Sequence, residues 1–117
     1  LREPLDKWPK SVHLLFEHLN PEIYTYMQGP SEFGIIGDAT LKDWDISDKL
    51  KDIKVPTLML GAKHDIMNPT YMEWMATEVQ NGRSITTNGS HLSQFDDPEI
   101  YFSALVKFIK DVDSMNF

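Results

Sequence analysis

Two short loops carry the residues whose types could do chemistry together. The first reads Gly61-Ala62-Lys63-His64-Asp65 and the second Asn88-Gly89-Ser90-His91, each directly after an apolar run. Taken singly, both have bland readings: an acid before a helix usually caps it or is solvated, Asn-Gly commonly marks a hairpin, and a lone loop histidine usually faces water. Taken together, they offer a carboxylate and an imidazole. In a triad, the imidazole removes the proton from a nucleophilic hydroxyl, and the carboxylate holds the ring in the tautomer that can accept it. The chain contains no Gly-x-Ser-x-Gly, and none of its serines has glycine on both sides as the strained nucleophile turn requires. The hydroxyl is therefore expected on a piece that precedes this one.

Elements of the right kind flank both loops. Val55 to Leu60 is an apolar run ended by Gly61, the form of a strand covered on both faces of a parallel sheet. Asn68 can cap and Pro69 can begin a helix in which Met72, Met75 and Val79 share one side, with Asn81-Gly82 as its end. Arg83 to Thr87 is a weaker strand. Since Leu92 to Asp97 leads straight to a final helix opened by Asp97-Pro98-Glu99, no strand follows to complete a hairpin at Asn88-Gly89. In that last helix Tyr101 or Phe102, Leu105, Phe108 or Ile109, and Val112 form the clearest helical stripe in the chain.

A strand-helix-strand-helix order predicts two parallel strands joined by a helical crossover, with both loops at one edge of the sheet, where functional groups of open α/β sheets collect. Two strands are too few for such a sheet, so more strands are expected outside the chain. Upstream, Val12, Leu15, Phe16 and Leu19 give a short amphipathic helix between Pro9 and Leu19, and a second helix runs from Pro21 to Gln28 with Gly29-Pro30 as its stop. Ser31 to Asp48 lacks periodicity and reads as a long connection.

Composition removes several classes of function. Of 117 residues, 41% are hydrophobic, enough for one domain that buries roughly 65% of its unfolded surface. With 11 Lys and Arg against 18 Asp and Glu, the formal charge is −7 and no basic cluster exists to neutralise phosphates, so no nucleic acid is expected as a partner. There is no cysteine, hence no disulfide and no thiolate metal site. No apolar run approaches the ~20 residues of a membrane-spanning helix, and no membrane association is expected. His13, His18 and His64 do not combine into a metal site, and no cofactor or metal is expected.

The order Asp then His, with serine earlier, is also that of the α/β-hydrolases. The stretch Leu50-x-x-Ile53-x-x-Pro56-Thr57-Leu58-x-x-Gly61, followed by Asp65 and Gly89-Ser90-His91, resembles the C-terminal third of such an enzyme. Upstream, Asn20-Pro21-Glu22-Ile23-Tyr24, Met27-Gln28-Gly29-Pro30-Ser31-Glu32-Phe33 and Lys42-Asp43-Trp44-Asp45-Ile46 are similar to the proline iminopeptidases, serine aminopeptidases that remove an N-terminal residue, preferably proline. The likeness runs from about Trp8 to Val112.

This resemblance implies an α/β fold: the βαβα edge of an α/β-hydrolase sheet at 48–117, preceded at 1–47 by the last helices of a helical cap and a return linker. It implies Asp65 and His91 as the catalytic acid and base, and Glu32 as the group that binds the substrate's free α-ammonium. The family usually places a second glutamate directly after the catalytic aspartate, and this chain has Ile66 there. Peptides with a free N-terminus are the expected substrates. By itself the chain is expected to be inactive, and to self-associate or require an N-terminal portion, because unpaired strand edges attract partners. The cytoplasm is the expected compartment, with a periplasmic or secreted setting left open because the true N-terminus is expected to lie elsewhere. Two alternatives remain at this stage: another α/β-hydrolase of the esterase or epoxide hydrolase type, and a non-catalytic binding domain on the same scaffold.

Overall fold

The computed structural model describes residues 1–31 and 34–116. It divides into two compact units, one of Glu3–Ile46 and one of Ser47–Phe117 together with Leu1–Arg2.

In the first unit, a short 3-10 turn at Leu5–Lys7 precedes helices α1 (Lys10–Glu17) and α2 (Pro21–Gln28). Helix α1 is shorter at both ends than the expected Pro9–Leu19, and of the apolar stripe Val12, Leu15, Phe16 and Leu19 only Val12 is buried. Helix α2 has the expected bounds. Its start is set by Asn20, whose side chain accepts hydrogen bonds from the N–H groups of Glu22 and Ile23, both at 3.1 Å, satisfying two donors that the first turn leaves free. At its end Gly29 adopts φ 91°, and a Cβ there would lie 2.6 Å from the Ile36 carbonyl oxygen. Only glycine fits both the conformation and the space. The chain then folds back on α2, with Ile36, Thr40 and Leu41 donating to the carbonyls of Gln28, Tyr26 and Met27.

The second unit begins with a 3-10 turn at Ser47–Asp52 and continues as β1 (Thr57–Ala62), α3 (Pro69–Glu78), β2 (Gly82–Thr87), α4 (Ser93–Asp96) and α5 (Pro98–Asp113). The strands pair in parallel, from Thr57 beside Gly82 to Ala62 beside Thr87. Both expected strands and the parallel arrangement are present, with shifted ends. Gly61 does not stop β1 but lies inside it, paired with Thr86 beneath Met72 and Pro69 of α3. Gly82 likewise belongs to β2, while α3 ends at Glu78 and passes through an extended Val79.

Side chains alternate across the sheet. On one face Thr86 donates to Glu73 of α3, and Gly82 packs against the Ala76 backbone. On the other, Leu58 and Ile85 lie along α5 near Ala104 and Phe108, and Arg83 pairs with Asp111, which also accepts from Lys107 at 2.6 Å. Hydrogen bonds from Lys107 and Arg83 hold the Asp111 carboxyl below the usual carboxylate range, so the ion pair persists into acid and tethers α5 to β2. The two-stranded sheet is thus covered on both faces, as parallel strands require. Outward from the sheet, α5 also presents Phe102, Val106 and Ile109 to solvent.

Asn68 caps α3 as expected, accepting from Thr70 N–H at 2.9 Å. Asn68→Ala should cost about 1 kcal/mol, the usual worth of such a cap. Urea denaturation of the full-length protein checks this, and a change too small to resolve would mean that α3 is held by its packing alone. No helix among the described residues is long and apolar enough to cross a membrane.

Candidate active site

Parallel pairing brings the two loops to one end of the sheet, and the ladder continues into them. Beyond the last strand pair, Lys63 N–H donates to the Thr87 carbonyl and His64 N–H to the Gly89 carbonyl, each at 3.0 Å. Asp65 and His91 therefore leave a zipped pair of backbones only one and two residues past the final bond. Their side chains meet: His91 Nδ1 lies 3.1 Å from Asp65 Oδ1 and 3.3 Å from Oδ2. Asp65 also accepts from Met67 N–H at 3.2 Å, which turns the carboxylate toward the histidine rather than into solvent.

Exposure differs sharply across the pair. The Asp65 side chain is 10% exposed and that of His91 62%. A shielded carboxylate strengthens the bond it makes to the imidazole, and an open ring leaves Nε2 accessible to a reacting group. Such an arrangement orients an imidazole as a general base with its acceptor nitrogen outward.

Similar proteins are proline iminopeptidases by name. The chain is 46% identical over 114 residues to a proline iminopeptidase of Elizabethkingia meningoseptica and 44% identical over 114 residues to one of Chitinophaga pinensis, in each case covering 97% of this chain and 38% of the relative. A proline iminopeptidase of the archaeon Saccharolobus solfataricus is 32% identical over 114 residues, covering 96% of this chain and 36% of the relative. Among solved structures, the crystal structure of proline iminopeptidase from Mycobacterium smegmatis superposes with a TM-score of 0.77 at 25% identity, covering 100% of this chain and 38% of that one. The chain is similar to part of the proline iminopeptidases. No protein-family model matches it. It spans about 38% of the length of the relatives that it matches, and its fold is that of an α/β-hydrolase portion.

Three further residues beside this pair escaped the sequence reading. Asp96 accepts from both the N–H and the hydroxyl of Ser90, and from Arg2 N–H at 3.1 Å. Asp97 accepts from Asn88 N–H at 2.8 Å, and the Thr87 hydroxyl oxygen accepts from Gly89 N–H at 3.3 Å. The sequence marks Asp97 only as the residue before Pro98, a cap position, yet its side chain makes no cap hydrogen bond and serves the histidine loop instead. An acid pair one turn after Asn-Gly-Ser-His was the available signal. Ser90, although adjacent to His91, is buried with its hydroxyl committed to Asp96.

Among the described residues no three His, Asp or Glu side chains are grouped to hold a metal. Glu32 and its neighbour Phe33 lie outside the described residues.

Proposed function

We propose that this chain supplies the acid and base of a serine aminopeptidase that releases N-terminal residues, preferably proline, from peptides through an acyl-enzyme. The observation that carries the reading is the 3.1 Å contact between His91 Nδ1 and Asp65 at the carboxyl ends of adjacent parallel strands. With Nδ1–H donated to Asp65, Nε2 takes the proton of a serine hydroxyl supplied by sequence outside these 117 residues. The serine oxygen attacks the scissile carbonyl carbon, and His91 then passes its proton to the departing amine. In the second half His91 takes a proton from water, which attacks the ester, and returns it to the serine. Asp65 stabilises the imidazolium formed in each half without itself becoming protonated.

Glu32 gives the aminopeptidase its selectivity in this reading, by bonding the substrate's free α-ammonium at about 1.5–3 kcal/mol for a charged hydrogen bond. Its support is the sequence likeness at Gly29-Pro30-Ser31-Glu32-Phe33.

One residue favours a second reading. Ile66, 64% exposed beside Asp65, stands where the family usually carries a glutamate, and an apolar side chain there suits an acyl substrate without a free amine. Proline arylamides and simple esters, offered to the full-length protein, separate the two. Faster turnover of esters, unaffected by Glu32→Gln, would replace the aminopeptidase with an esterase.

A fluorophosphonate should label the full-length protein and leave the 117-residue chain unmodified, as read by intact mass. Labelling of the chain alone would place a nucleophile among its own serines. No adduct on the full-length protein would point to a binding domain.

A further inference from the structure

His91 is anchored at its root more firmly than at its ring. Three consecutive N–H groups before it, those of Asn88, Gly89 and Ser90, are taken by side-chain oxygens of Asp97, Thr87 and Asp96. From the other side His64 N–H holds the Gly89 carbonyl, and Arg2 Nη1 reaches the Asn88 carbonyl at 3.3 Å. Gly89 permits this closeness, since a Cβ there would sit 2.9 Å from Ser93 Cβ and 3.0 Å from Asp96 Cβ. The loop is thus pressed onto α4, and one Asp96 oxygen receives both donors of the residue immediately before the histidine.

We infer that Asp96 is a positioning residue, a latch that fixes the Ser90 peptide so that the His91 ring stays against Asp65. The role rests on His91 acting as the general base. An exposed imidazole has few neighbours to restrain it, so the direction in which it leaves the backbone is set by the loop behind it. Releasing Ser90 lets the loop rise from α4 and swings the ring away from the carboxylate, and displacements of about 1 Å in such a constellation cost on the order of 10²-fold in rate.

Charge makes the latch durable. Burial tends to raise the Asp96 carboxyl, but hydrogen bonds from the Ser90 hydroxyl and from the Arg2 and Ser90 N–H groups outweigh it and hold the group below its ordinary value of 3.8. For a carboxyl lowered in the folded state, the stabilisation is complete above the ordinary value and is lost as pH falls through the lowered one. The latch therefore remains closed wherever His91 has to work as a base.

Full-length protein labelled with ¹⁵N tests this through the Ser90 amide and the His91 Nδ1 proton, whose signals do not depend on peptidase activity. Expected in the wild type is a Ser90 amide proton that follows a carboxyl titrating below 3.8. In Asp96→Ala the His91 Nδ1 signal should broaden and turnover should fall about 10²-fold with KM nearly unchanged, while amides of β1 and β2 stay in place. Asp96→Asn keeps an acceptor for Ser90, so it should fold, abolish the titration and restore most of the His91 signal. A Ser90 amide that reports no carboxyl, or an unchanged His91 signal in Asp96→Ala, would overturn the inference. If the signals behave as expected in a protein inactive on every peptide tried, the latch stands and the aminopeptidase reading falls.

Discussion

Under the proposed function, Asp65→Asn in the full-length protein should lower turnover by about 10⁴-fold and leave the fold intact. The carboxylate is an acceptor at both oxygens, so the His91 nitrogen facing it must carry the proton. An amide at position 65 can turn its NH₂ toward Nδ1 and stabilise the opposite tautomer, which puts the proton on Nε2 and removes the base. Little else changes. The side chain keeps its volume, and its carbonyl oxygen still accepts from Met67 N–H. Turnover on a proline arylamide, read beside the circular dichroism spectrum, checks both halves of this expectation. A loss of less than tenfold would remove Asp65 from the catalytic set.

The largest expected effect on stability lies at Gly82. A Cβ on this residue would fall 1.9 Å from the carbonyl oxygen of Ala76 and 2.8 Å from its carbon. Both atoms are helix backbone and cannot rotate aside, so α3 must lift from the start of β2. Overpacking of a close contact costs typically 1–3 kcal/mol, and with backbone as the obstacle about 3 kcal/mol is expected for Gly82→Ala. Gly61 provides the contrast: a Cβ there meets Met72 at 3.5 Å, an ordinary contact, and Gly61→Ala should cost far less. Denaturation midpoints of the two variants in the full-length protein decide the matter. Equal midpoints would mean that the α3–β2 approach is looser than described.

These two glycines also show how far local sequence reaches. Both were legible as breaks, because glycine after an apolar run or after a helix commonly ends the element. In the fold both belong to strands, and α3 passes so close to Gly82 that a side chain would not fit, whereas at Gly61 a Cβ makes only an ordinary contact. Local pattern reports that glycine is needed but not whether the need comes from a turn or from a neighbour. Helix α1 illustrates another limit. Its apolar stripe correctly announced a helix, but Leu15, Phe16 and Leu19 remain exposed, since periodicity specifies a face without specifying what covers it.

That Asp65 and His91 meet was legible in the sequence because each follows its own apolar strand and because parallel strands must end at the same edge. Asp96 and Asp97 were not found because their work is done across a turn. The acid pair before Pro98 has a local explanation as a helix start, and nothing in the linear order says that these carboxylates turn back to Asn88 and Ser90.

By itself, the order of residues determined the alternation of strands and helices, the parallel pairing, the start of α3 at Asn68 and the meeting of an acid with an imidazole, because each depends on periodicity, capping or chain direction, which are short-range properties. Only the tertiary structure decided which carboxylates brace the histidine loop, why Gly82 must lack a side chain, and which way the His91 ring faces. Those depend on distances between segments far apart in the chain, and such distances exist only once α3, α4 and α5 have closed on the sheet.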